Sequence, residues 1–140
     1  MLSRIPEGQT PPEIAELIKD IIQDKVVCDI GCGGGSFMTA MRPYAKEVIG
    51  IEEEKDWAMK AVDRGFTVQI ENAFSFPLPP ADVYYCWSKS AMGVYLKAKF
   101  EGTKGTFIFG HTVRECLLNL INRTEHEVRG TDFKVYITQL

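Results

Sequence analysis

Over residues 14–22 the apolar side chains fall at Ile14, Leu17, Ile18, Ile21 and Ile22. That i, i+3, i+4, i+7, i+8 spacing draws one stripe down an amphipathic helix. Thr10-Pro11-Pro12-Glu13 stands in front of it: Thr10 suits a cap, Pro11 the first helical position, and Glu13 closes a capping box. The period then changes. Val26-Val27-Cys28-Asp29-Ile30 is a short, nearly continuous apolar run, which predicts a strand covered on both faces. It ends in the glycine-rich Gly31-Cys32-Gly33-Gly34-Gly35, and a modest helix follows through Phe37, Met38 and Met41. Residues 48–51 read as a second strand, and a helix around Trp57, Ala61 and Val62 ends at Gly65, placed as a C-cap. Phe66, Val68 and Ile70 alternate with Thr67 and Gln69, which predicts a half-exposed third strand at a sheet edge.

Three prolines at 77, 79 and 80 make the stretch 75–80 a loop. A fourth strand is expected over 82–87 and a fifth over 106–109, with a helix near 92–100 between them. Thr112 and Glu115 start a further helix with the stripe Val113, Cys116, Leu117, Leu120 and Ile121. Residues 125–129 and 133–139, joined at Gly130-Thr131, read as a closing hairpin. Strands alternating with helices imply a parallel sheet built by right-handed crossovers. One α/β domain over residues 1–140 is expected, with 1–9 as a flexible lead-in.

A chain of 140 residues can bury roughly two-thirds of its unfolded surface, so no disulfide or metal staple is required. The formal net charge of −3 disfavours non-specific binding to DNA or to anionic membranes. No apolar stretch approaches the ~18 residues of a membrane span, and the first residues lack the pattern of a secretory signal. Cys28, Cys32, Cys86 and Cys116 match no common zinc spacing. The expectation is a cytoplasmic protein with reduced thiols.

The candidate chemistry lies in Asp29-Ile30-Gly31-Cys32-Gly33-Gly34-Gly35, between a strand and a helix. Glycines there let the chain turn sharply and let a ligand approach the backbone. A tight turn with no ligand is the plain alternative, as is Asp29 acting only as a helix cap. Asp29 stands at the mouth of the first strand, where its charge penalises a phosphate and favours an ammonium group. Glu52 ends the second strand, about 20 residues further on, the distance expected of an acid that accepts from ribose hydroxyls. It belongs to Glu52-Glu53-Glu54, so a merely solvated acidic cluster is its alternative. A ligand with a ribose near Glu52 and an amino acid near Asp29 is S-adenosylmethionine.

These residues resemble motif I (D-x-G-x-G-x-G) and the following acidic motif of class I S-adenosylmethionine-dependent methyltransferases. Asn72-Ala73 resembles the Asp-Ala pair that, in that family, meets the adenine. Leu78-Pro79-Pro80-Ala81-Asp82-Val83 resembles the stretch leading into strand four. The resemblance covers most of the chain from Thr10 onward. It implies a Rossmann-like three-layer sandwich with a mostly parallel, seven-stranded sheet closed by a C-terminal antiparallel hairpin. It also implies S-adenosyl-L-methionine as cofactor, with S-adenosyl-L-homocysteine as product, held by Asp29, Gly31, Cys32, Gly33, Glu52, Asn72 and Ala73. The Thr-Pro start, Gly50-Ile51-Glu52, Asn72-Ala73-Phe74 and the small size further resemble small prokaryotic protein-lysine methyltransferases related to the Dot1 group.

The departures are specific. Ser36 stands where a dinucleotide site prefers a third glycine. Asn72 replaces the commoner Asp, so adenine would meet an amide oxygen. Tyr85-Cys86-Trp87-Ser88 replaces the Pro-Pro-aromatic motif of amino-methylating DNA enzymes, and no Pro-Cys pair supplies a thiol for cytosine C5. Trp87 at the end of strand four and His111 just after strand five are the candidates for the acceptor mouth, against the plain reading of both as structural. The acceptor is open among protein (a lysine by the narrower resemblance), RNA and small molecule. A non-catalytic subunit that binds the cofactor and supports a partner is the alternative to an enzyme.

Overall fold

A computed structural model describes residues 12–72, 77–88, 105–111, 124–127 and 134–139, with side chains at 12–72, 77–86 and 105–108. Five strands lie parallel: β1 (Val26–Ile30), β2 (Glu47–Ile51), β3 (Thr67–Gln69), β4 (Val83–Ser88) and β5 (Thr106–His111). Their order across the sheet is β3-β2-β1-β4-β5. The chain therefore steps one way from β1 to β3, then returns to the other side of β1 for β4 and β5. The reversal lies between β1 and β4, where open α/β sheets form a crevice at the carboxyl ends of the strands. Beyond β5, the segments β6 (Thr124–Glu127) and β7 (Lys134–Gln139) pair antiparallel, β7 against β5 and β6 against β7. The helices expected near 92–100 and from Thr112, and the turn at Gly130-Thr131, lie outside the described residues.

Register explains why β1 reads as an unbroken apolar run. Val27 and Asp29 share one face with Val48, Gly50, Val83 and Tyr85; Cys28 and Ile30 share the other with Tyr84 and Cys86. The first face carries the main core, with Ile14, Ile18, Ile22, Phe37, Met38, Met41, Tyr85 and Ile108 all buried. On the second face Cys28, Ile30, Tyr84, Cys86 and Phe107 are equally buried, and the rings of Tyr84 and Phe107 stack at 5.0 Å. Both faces are dry, so alternation is lost and only length marks the strand.

The first helix departs from expectation. It is two short pieces, α1 (Glu13–Leu17) and α2 (Lys19–Ile22), separated at Ile18, whose φ of −102° and ψ of 6° leave the helical region. Ile18 N–H still donates to Ile14 O at 3.1 Å, and Ile21 N–H to Ile18 O at 2.9 Å, an i, i+3 bond that tightens the turn. The stripe is also narrower than its spacing suggests: Ile14, Ile18 and Ile22 are fully buried, whereas Leu17 is 42% exposed. Each fully buried isoleucine stabilises the fold by about 1.5–3 kcal/mol. Helix α1 starts at Glu13 with Pro12 in the cap position; Thr10 and Pro11 lie outside the described residues.

Helix α3 (Ser36–Met41) follows the glycine loop, and α4 (Lys55–Asp63) follows β2. Helix α4 buries Ala58 and Ala61, while its larger Trp57 and Val62 are more than a third exposed. Close approach is the reason: a Cβ at Gly35 would lie 3.0 Å from the Ala61 Cβ, so only small residues fit between loop and helix. Gly65 has φ +94° and ends the helix as expected. Strand β3 is a half-exposed edge of the parallel strands, preceded by the buried Phe66.

The described cysteines Cys28, Cys32 and Cys86 are free and buried; Cys116 lies outside the described residues. Among the described residues no helix is long and apolar enough to cross a membrane.

Candidate functional site

The loop after β1 turns on three glycines with positive φ: Gly31 at +74°, Gly33 at +56° and Gly35 at +85°. These values are strained for any residue with a Cβ. The three do different work. A Cβ on Gly31 or Gly33 would meet no atom within 4 Å, so both face open space. Gly35 instead lies against Ala61, and Gly34 lies under the Trp57 ring, where a Cβ would come within 3.2 Å of Cε3. The loop thus presents bare backbone on one side and packs on α4 on the other.

The amides of the loop are largely spent inside the protein. Gly31 and Cys32 N–H both donate to Ile51 O at 2.8 and 3.0 Å, and Gly35 N–H to Cys32 O at 3.1 Å. Gly33 N–H donates to Glu52 Oε1 at 2.9 Å. A phosphate cradle needs several such groups free and converging. With four of them engaged, one by a carboxylate, this loop is poorly built for a pyrophosphate.

Glu52 lies just past β2, where Glu52 N–H donates to Gln69 O at 3.0 Å and holds the ends of β2 and β3 together. Its second oxygen accepts Glu54 N–H at 3.0 Å. Glu52 is half-buried while Glu53 and Glu54 are exposed, so the three acids of the cluster are not equivalent. Each carboxylate oxygen keeps a further lone pair for a hydroxyl donor.

Asp29 is buried, at 3% exposure, in register between Gly50 of β2 and Tyr85 of β4. Among the described residues no hydrogen-bond donor or cation meets its carboxylate. Burial, and secondarily the negative charge of Glu52, push its pKa up to about 8. With no such partner among the described residues, this buried carboxyl is a place where a ligand cation or donor would be favourable.

Cys32 gives its backbone amide to Ile51 O and buries its side chain. Its thiol belongs to the core below the loop, where a Cβ on Gly50 would lie 2.5 Å from Sγ. Burial, then the charges of Asp29 and Glu52, raise the thiol pKa, so it is a neutral filler. Gly50 is the residue that sequence reasoning missed. Glycine inside a strand is a known sign of close approach, and that signal was present.

Asn72 follows β3 on the same rim and is half-buried. Ala73 lies outside the described residues. Trp87 is the penultimate residue of β4, in register with Gly110, and His111 is the last residue of β5, in register with Ser88. Both strands run one or two residues further than their apolar patterns suggest, so His111 belongs to β5 and does not follow it. The backbones of Trp87 and His111 thus share the carboxyl rim beyond the switch point; their side chains lie outside the described set. Among the described residues no group of His, Cys, Asp and Glu is arranged to hold a metal.

No protein-family model matches the sequence, and no curated protein matches it significantly. Solved structures do resemble it. An RNA methyltransferase from Salinibacter ruber, crystallised with S-adenosyl-L-homocysteine, superposes with a TM-score of 0.78 at 16% identity, over 94% of this chain and 92% of that one. A ribosomal-protein methylase from Lactobacillus delbrueckii subsp. bulgaricus gives 0.73 at 15% identity, over 91% and 77%. The N-methyltransferase NodS from Bradyrhizobium japonicum gives 0.68 at 12% identity, over 91% and 93%. This chain has the Rossmann-like fold of class I S-adenosylmethionine-dependent methyltransferases.

Proposed function

We propose that the chain binds S-adenosylmethionine across the carboxyl ends of β1 and β2 and transfers its methyl group to an acceptor arriving over β4 and β5. One observation carries this reading: a buried Asp29 near the end of β1, without a donor among the described residues, beside a glycine loop whose open backbone is pinned by Glu52. A dinucleotide would need its phosphates on amides that already donate elsewhere, close to two acids. A ligand with an ammonium at one end and a ribose at the other meets the same groups favourably. Asp29 would take the ammonium, Gly31 and Gly33 would let the chain of the ligand pass, and Glu52 would accept from the ribose. Asn72 and Ala73 would border the adenine.

The cofactor supplies an electrophilic methyl on sulfonium. The protein's share is orientation, worth up to ~7–11 kcal/mol in favourable intramolecular models, and exclusion of water. The rim formed by Trp87 and His111 is where an acceptor would enter. We place a protein lysine first among acceptors, on the resemblance to small protein-lysine methyltransferases, with RNA and small molecules as the other arms of the test. The same reading takes β6 and β7 as the two arms of a hairpin that completes a seven-stranded sheet.

The deciding experiment has two stages. Calorimetry should show binding of S-adenosylhomocysteine and none of NAD; NAD binding without a response to S-adenosylhomocysteine overturns the proposal. Radiolabelled methyl transfer into fractionated protein, RNA and metabolite pools then identifies the acceptor class. Cofactor binding with no labelled pool would favour a non-catalytic subunit.

A further inference from the structure

We propose that Asp29 is an uncharged carboxylic acid in the ligand-free protein and ionises when a ligand ammonium docks beside it, so that binding expels a proton into solvent. This rests on the reading of the site as one for S-adenosylmethionine and its product.

The geometry is that of a buried acid among acids. Asp29 sits at 3% exposure, and among the described residues nothing donates to its carboxylate. The described titratable groups around it are Glu52 at the end of β2, Cys28 before it on β1, Cys32 in the loop, and Tyr85 opposite on β4. None of these is cationic in any protonation state. Helix α3 packs this face through Phe37 and Met38, and α1, α2 and the turn between them through Ile14, Ile22 and Ile18, none of which can carry charge. On the α4 side of the loop, Lys60 holds its ammonium over the Trp57 ring at 4.4 Å. A carboxylate in such surroundings keeps its proton, because no charge or donor among the described residues replaces lost water. Burial first and Glu52 second hold Asp29 up to about 8, above neutral pH.

A ligand ammonium changes that balance. The Asp29 O–H bond breaks, its electron pair stays on the carboxylate, and the proton leaves to buffer. The carboxylate then pairs with an ammonium that is already protonated at neutral pH. Asp29 thereby reads the charge of the amino-acid end of the ligand, beyond its shape. Cofactor affinity becomes coupled to pH through a single group.

The test is calorimetry on the full chain with S-adenosylhomocysteine in buffers of low and high ionisation enthalpy. Below pH 7, release of most of a proton per ligand is expected, diminishing as the pH rises through about 8. Affinity should rise about tenfold from pH 6 to 7 and level off above 8. Methylthioadenosine, which keeps the nucleoside and thioether but has no ammonium, should bind without proton release. The Asp29→Asn variant should bind S-adenosylhomocysteine weakly and with no pH dependence. Buffer-independent binding enthalpy together with a flat affinity from pH 6 to 8 would show Asp29 already ionised and overturn the inference, leaving the cofactor assignment intact. No response to S-adenosylhomocysteine at any pH would defeat the assignment itself. The wild-type measurement decides the matter even if the variant does not fold.

Discussion

Glu52 Oε1 accepts the Gly33 N–H at 2.9 Å, so an acid at the end of β2 sets the shape of the loop that follows β1. The other oxygen accepts the Glu54 N–H at the start of α4. One carboxylate thereby ties loop, strand end and helix together, and it still has lone pairs to offer a ribose. Shape and binding are linked through one side chain.

Glu52→Ala should weaken S-adenosylhomocysteine binding by roughly 1–3 kcal/mol, because charge-assisted hydrogen bonds are lost. It should also release the Gly33 amide to faster hydrogen exchange. Glu54→Ala should do little, since that side chain is exposed and makes no cap bond to its helix. Titration calorimetry on both variants checks this. Equal losses would mean that the acids act collectively.

Gly50→Ala should destabilise the protein by about 1–3 kcal/mol, the usual cost of overpacking. The added Cβ would lie 2.5 Å from Cys32 Sγ and 3.0 Å from Met38 Sδ. Cys32→Ala should recover part of the loss by removing the closer sulfur. A double-mutant cycle by urea denaturation measures the coupling; strictly additive losses would show that the clash is relieved elsewhere.

Asp29 also has a consequence for stability. Its pKa is raised from 3.8 to about 8 in the folded protein. Between those values the folded state binds more protons than the unfolded one, so stability is full below the unfolded pKa and falls as pH rises. The Asp29 contribution to that slope approaches about 1.4 kcal/mol per pH unit at most. Asp29→Asn should lack it. The difference in melting temperature between variant and wild type, both free of ligand, should shift in favour of Asn from pH 5.5 to 8.5. A constant difference would contradict the raised pKa.

On the acceptor side, Trp87→Ala should lose methyl transfer by at least about tenfold in kcat/KM while S-adenosylhomocysteine affinity changes little. His111→Ala should show a smaller effect of the same kind. Trp87→Phe serves as the folding control, because truncating a packed Trp can itself cost ~3–5 kcal/mol. Full activity in a folded Trp87→Ala protein, or a parallel loss of cofactor affinity, would move the acceptor entrance away from β4.

What could be read from the chain alone was whatever depends on local pattern. The order of the parallel strands' elements, the turn at Gly31 to Gly35 and the distinct position of Glu52 follow from apolar runs, glycine and spacing. All of these are encoded within a few residues of where they act. Other features arise only when distant segments meet. Whether Trp57 faces the core depends on how closely α4 approaches the glycine loop, and Ala61 against Gly35 sets that distance. That the thiol of Cys32 fills the space left by the missing Cβ of Gly50 shows only when the loop and β2 meet. Asp29 reads as a charged group in any linear account. Folding buries it beside Glu52 with no donor among the described residues, so its raised pKa comes from the tertiary structure.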